Sequence, residues 1–135
     1  MTTRSDAGAD AGKSLQELHG PEGRCFGCGP ANPMGLRIRS FPEGDTLVCE
    51  WTPQPYHEAF RGVLNGGICG CLLDCHGNWA AAYHLYRTQG AAELPSTVTA
   101  EFHVKLRAPT PTSGPVRLVA RVVEASGNRV VVEET

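Results

Sequence analysis

Asp74 is the only acid between Glu58 and Glu93, and it lies in VLNGGICGCLLDCHG, Val63 to Gly77, among small and apolar residues. Burying a carboxylate is costly unless it is paired or hydrogen-bonded, so an acid in such company points to a site. Gly66 and Gly67 stand just upstream, where a helix would begin. The first backbone N–H groups of a helix lack internal partners, and the helix dipole favours negative charge there. Glycines leave room for a ligand to reach those groups. A donor for an oxyanion and a carboxylate to promote attack are what acyl transfer to water requires. Two plainer readings stand beside this one: Asp74 could bond a neighbouring backbone group or an arginine and hold packing, and NGG could be only a capped turn.

The elements that must position these residues follow from the pattern. Residues from Gly66 to about Arg87 form the one long helix, with Ile68, Leu72, Cys75, Trp79 and Ala82 or Tyr83 at helical spacing. Asn65 is its expected N-cap, and Gly90 and Pro95 follow its end. Gly70, Asp74, Gly77 or Asn78, and Ala81 make a small-residue stripe on the same helix. Upstream, LQELHG is a short helix or turn, and CFGCGPANPMG is a loop rich in turn residues. LRIRSF reads as a strand with Leu36, Ile38 and Ser40 on one face, PEGD as a hairpin turn, and TLVCEWT as the returning strand. Downstream, Ser96 to Pro109 reads as a long strand, and VRLVARVVEASGNRVVVEET as two strands joined at SGN. The expected class is α+β: an apolar helix wrapped by one antiparallel sheet.

The 135 residues suit one domain, residues 15–135, behind a polar tail, residues 1–14, that reads as disordered. A net charge of −2 leaves no basic footprint for nucleic acid or an anionic membrane. No apolar run has the length of a membrane span, and the N-terminus lacks the apolar core of a secretory signal. The six cysteines then read as thiols in a reducing cytoplasm. Cys25 and Cys28 form a lone C-x-x-C without a second such pair, so the reading is two packed thiols in a turn, with no metal and no cofactor. Cys69, Cys71 and Cys75 read as small core residues of the helix. His76 follows Asp74 but points about 100° away around the helix, so the two form no dyad.

HEAFRGVLNGGICGCLLDCHG resembles the signature of the hotdog-fold acyl-CoA thioesterases, in their phenylacetate-thioesterase-like branch. CFGCGPANPMGLRI resembles the N-terminal element of some members, and STVTAEFHVKLRAPTPTSGP their strand leading into a proline-bearing turn. The resemblance runs from Cys25 to the C-terminus. It implies a hotdog fold whose final strand is missing here, either by truncation or because a partner completes the sheet. It implies Asp74 as the catalytic carboxylate, Gly66 and Gly67 as the helix-start glycines, and Gly67 N–H as the preferred oxyanion donor. Gly62 matches the leading glycine. Asn65 stands where the family has a histidine, and Ala59 where it often has an asparagine, a place His57 could serve. Thr99 is the candidate hydroxyl from the following strand, acting across a dimer. Arg61, Lys105 and Arg107 are candidate phosphate contacts.

The implied reaction is hydrolysis of an acyl-CoA thioester, with Asp74 as base or nucleophile, in a homodimer or tetramer with the acyl group between subunits. The alternative is an acyl-CoA-binding module without turnover. A CoA-ester hydratase would want an Asp/His pair at a different spacing.

Overall fold

The computed structural model describes residues 12–135. Ser14, assigned to the tail from sequence, is instead fully buried and begins the fold. Its Oγ accepts from Glu17 N–H while the Glu17 carboxylate accepts from Ser14 N–H, a reciprocal capping box for helix α1, Leu15–His19. Residues 1–11 of the expected tail lie outside the described residues.

The chain then runs β1 (Phe41–Glu43), β2 (Thr46–Trp51), a 3-10 turn (Pro55–His57), β3 (Glu58–Phe60), β4 (Val63–Leu64), α2 (Gly66–Gln89), β5 (Val116–Ser126) and β6 (Arg129–Glu134). β1, β2, β5 and β6 form a four-stranded antiparallel sheet in that spatial order, and β3 and β4 form a separate small ladder. The long helix lies against the sheet, as the α+β reading requires. It ends at Gly90, whose φ of 64° is the left-handed conformation that stops a helix.

Two apolar clusters fill the space beneath α2. Leu36, Ile38, Cys49, Trp51, Leu64, Leu72 and Leu118 lie under its first half. Leu15, Leu47, Ala80, Tyr83, Tyr86 and Ala120 lie under its second. The buried stripe passes through Leu72, His76, Ala80 and Tyr83, rotated from the expected Ile68, Cys75 and Trp79, which are only partly buried. His76 can take a core position because both ring nitrogens are bonded there.

Two strand expectations differ from the structure. Leu36, Ile38 and Ser40 share a buried face as expected, but the ladder starts only at Phe41. The stretch 96–109 is largely exposed and joins neither sheet. Its pattern is that of a strand, but pairing needs a neighbour, and β6 forms the edge of the sheet. The stretch instead lies along α2, antiparallel to it: Thr97 meets Asn78, Thr99 meets Asp74 and Leu106 reaches Gly66.

Candidate active site

The site is built at the start of α2. Asn65 Oδ1 accepts from Gly67 N–H at 2.8 Å and from Ile68 N–H at 3.2 Å, and Asn65 C=O accepts from Cys69 N–H. Asn65 is thus the N-cap anticipated from its type. The same bond engages Gly67 N–H, the donor preferred from sequence. A short side-chain cap competes directly with a ligand for the helix-start donors, and here it holds two of them. Gly66 N–H is the helix-start donor left for a ligand, and no hydrogen bond from it is seen among the described residues. A side chain at Gly66 would meet Leu106 Cδ1 at 3.0 Å, so the glycine lets the 96–109 stretch close over the helix start.

The turn that delivers Asn65 is held from both sides. His57 C=O accepts from Asn65 N–H at 2.9 Å, and Thr110 C=O accepts from Leu64 N–H at 2.8 Å. The His57 ring tilts against Trp51 with centroids 4.9 Å apart, and its Nδ1 accepts from Gln54 N–H. Partial burial lowers the His57 pKa. His57 therefore supports the turn. Gly62 has a φ of 79°, a left-handed turn position that favours glycine, and its N–H donates to Glu58.

Asp74 is half-buried, and its Oδ1 accepts from Thr99 Oγ1 at 2.6 Å within the same chain. Thr99 was expected to act across a dimer; the extended stretch instead brings its hydroxyl to Asp74 of its own chain. Arg61, Lys105 and Arg107 are exposed, on the β3–β4 turn and on the 96–109 stretch. A separate concavity of about 800 Å³ lies under the other half of α2, lined in part by Leu47, Ala80, Tyr83, His84, Arg87 and Ala120; none of the site residues lines it.

The fold has counterparts among solved structures. A thioesterase superfamily protein from Shewanella loihica is 30% identical, matches over 78% of this chain and 83% of its own, and superposes with a TM-score of 0.64. The chain belongs to the thioesterase superfamily. Its fold is the hotdog fold expected from sequence. A second superfamily protein superposes with a TM-score of 0.63 at 18% identity, covering 82% of this chain and 60% of its own. The zebra fish thioesterase superfamily member 2 does so with a TM-score of 0.54 at 15% identity, covering 77% and 85%. These two show the shared fold. No protein-family model matches the chain, and no curated protein matches by sequence.

Three groups near this candidate site make contacts that the sequence did not show. Glu134, at the end of β6, places its carboxylate against Gly77, where a Cβ would lie 2.5 Å from Oε2. Its Oε1 is buried without a hydrogen-bond partner among the described residues. Burial, with added repulsion from Asp74, pushes the Glu134 pKa up to about 8. Its signal was faint: an acid at an inward position of a strand near the chain's end.

His76 is the second. Its Nε2 lies 2.9 Å from Leu47 C=O and its Nδ1 lies 2.8 Å from Ser40 Oγ. A carbonyl only accepts, so the proton sits on Nε2 and Nδ1 accepts from the serine hydroxyl. Ser40 Oγ accepts in turn from Gln16 Nε2 at 2.9 Å. Burial lowers the His76 pKa to about 4, which keeps the ring neutral. The network ties α1, β2 and α2 together and has no bond to Asp74.

The third is a thiol cluster. Cys71 and Cys75, read as core residues, instead face the C-x-x-C turn, and Cys25 Sγ lies 3.7 Å from Cys75 Sγ. The legible signal was the C-x₃-C spacing, which puts both thiols on one face of a helix.

Proposed function

We propose that this protein hydrolyses an acyl-CoA thioester to the free acid and CoA, with Asp74 as the group that promotes attack and a backbone N–H at the start of α2 as the oxyanion donor. The observation that carries this reading is the bond from Thr99 Oγ1 to Asp74 Oδ1 at 2.6 Å, on the helix whose start leaves Gly66 N–H for a ligand. Membership of a superfamily named for thioester cleavage supports the reaction class.

The thioester carbonyl oxygen would accept from Gly66 N–H, where the helix dipole stabilises developing negative charge. Asp74 accepts a proton from water as the water oxygen bonds to the carbonyl carbon. Collapse of the tetrahedral intermediate breaks the C–S bond and releases CoA thiolate, which is then protonated. Thr99 holds one carboxylate oxygen and leaves the other for the water.

The helix itself limits the arrangement. Gly66 and Asp74 are eight residues apart on α2, which is about 12 Å of rise. A carbonyl takes its donor at about 3 Å and its attacking atom at about 3 Å. Direct attack by Asp74 on a carbonyl held at its own helix start is therefore out of reach. Either a water bridges the gap, or one subunit supplies Gly66 and its partner supplies Asp74. The exposed apolar residues Val98, Phe102 and Leu106 of the unpaired stretch favour self-association as a homodimer or tetramer. Arg61, Lys105 and Arg107 would meet the CoA phosphates. No helix among the described residues is long and apolar enough to cross a membrane, and we place the reaction in the cytoplasm.

A second reading has its own observation. Because Asn65 already engages Gly67 N–H, the helix start offers a ligand fewer donors than a bare glycine pair would. That favours a module that binds acyl-CoA without turnover. Chromatography of CoA released from an acyl-CoA panel decides between them. Turnover by the wild type, lost in Asp74→Asn with folding and association intact, supports the hydrolase. Tight binding without turnover supports the binding module.

A further inference from the structure

Four thiols converge where the N-terminal loop meets α2. The Sγ atoms of Cys25, Cys28 and Cys75 all lie within 4.8 Å of one another. Cys71 stands one helical turn before Cys75, on the same face. A Cβ on Gly27, between Cys25 and Cys28, would lie 2.3 Å from Cys75 Sγ and 2.9 Å from Cys71 Sγ. Only glycine lets the turn approach both helix thiols.

The loop is shaped to hold that approach. Gly29 N–H donates to Cys25 C=O at 2.8 Å, closing the turn over the two cysteines. Leu36 N–H donates to Phe26 C=O and Ile38 N–H donates to Gly27 C=O, fixing the turn against the following chain. Gly29 is also obligatory, since a Cβ there would lie 2.5 Å from Cys25 N.

The spacing discriminates between the ways thiols can pair. A disulfide needs its sulfurs about 2.05 Å apart. The edge of a tetrahedral zinc–thiolate site, with Zn–S near 2.3 Å, is about 3.8 Å. The observed separation of Cys25 and Cys75 is 3.7 Å. A lone pair of thiols needs no explanation beyond packing, but four sulfurs drawn from a C-x-x-C turn and a C-x₃-C helix face match a closed structural zinc site in number and in donor type.

We propose that Cys25, Cys28, Cys71 and Cys75 bind a zinc ion that pins the N-terminal loop to the first half of α2. The metal takes up four thiolates, releases their protons on binding, and has no position open for chemistry. Its role is to hold the helix bearing Asp74, and the inference is independent of the proposed hydrolysis.

The test uses the full chain purified under reducing conditions without chelator, with zinc measured by elemental mass spectrometry. About one zinc per chain is expected, as for a four-thiolate site. Reduced apoprotein titrated with cobalt should show thiolate-to-cobalt charge transfer and the intense visible bands of tetrahedral coordination, bleached by added zinc. Cys25→Ser, whose side chain is exposed and whose loss leaves the core intact, should lose the metal, while Cys49→Ala, elsewhere in the core, should keep it. Cys71→Ser holding zinc as tightly as the wild type would overturn the assignment of the fourth ligand. Absence of zinc together with a colourless cobalt titration of protein whose thiols are all reduced would overturn the site, as would a Cys25–Cys75 disulfide found by peptide mapping of unreduced protein.

Discussion

The two halves of α2 are made of different materials. From Gly66 to Cys75 the helix carries three glycines, three cysteines and one aspartate, and outside its apolar cluster it meets loops: the NGG turn, the C-x-x-C turn and the 96–109 stretch. From Ala80 to Tyr86 it carries alanines, leucine and tyrosines that pack on β2, β5 and α1. The first half spends its surface on small residues so that backbone and polar groups can come close. The second spends it on apolar area, the main source of stability. The same division separates the two apolar clusters, with the candidate site beside the first.

The difference can be broken by substitution, beginning with the largest expected effect. Asp74→Asn should lower turnover by about 10²–10⁴ if the acid acts as general base, with an unchanged thermal midpoint, read as CoA released per folded chain. Tyr86→Ala, in the rear half, should do the reverse: a loss of about 3–5 kcal/mol of stability for a buried aromatic truncated to alanine, measured by urea denaturation, with turnover per folded molecule retained. If Tyr86→Ala abolished turnover in fully folded protein, the division would be wrong.

Glu134 sharpens the boundary between the halves. Its pKa is about 8 in the fold against an ordinary 4.5. Below 4.5 the carboxyl is protonated in both states and contributes nothing to pH dependence. Between 4.5 and about 8 the unfolded chain ionises while the folded chain keeps the proton, so stability falls as pH rises. By pH 7 the penalty is about 3 kcal/mol. Glu134→Gln should recover most of it, raising the denaturation midpoint at pH 7 to 8 and flattening its decline with pH. An unchanged midpoint across that range would mean that the carboxylate is solvated.

Asn65→Ala should have the smallest effect. Loss of the cap should cost about 1 kcal/mol and release Gly67 N–H. Turnover that rises in this variant would identify Gly67 as a donor that the asparagine holds back. Unchanged turnover at saturating substrate would leave the role to Gly66.

Much of this protein was legible in its residues. The helix from Gly66, its Asn65 cap, the hairpins and the α+β class follow from periodicity and turn chemistry, which act over a few residues at a time. Asp74 stood out because an acid inside an apolar helix is costly, and Thr99 entered through family resemblance. What the chain order could not show is what lies opposite. The strand-like stretch 96–109 has the alternation of a strand, but pairing depends on a neighbour, and the structure lays it along α2. Glu134 reaches the site only because β6 passes under Gly77. Cys71 and Cys75 came to face Cys25 and Cys28 only because Gly27 let the loop meet the helix. Local propensity and burial cost are properties of short segments and were determined by sequence alone. Contacts between residues far apart in the chain depend on how the sheet, helix and loops close on each other, and only the tertiary structure decided them.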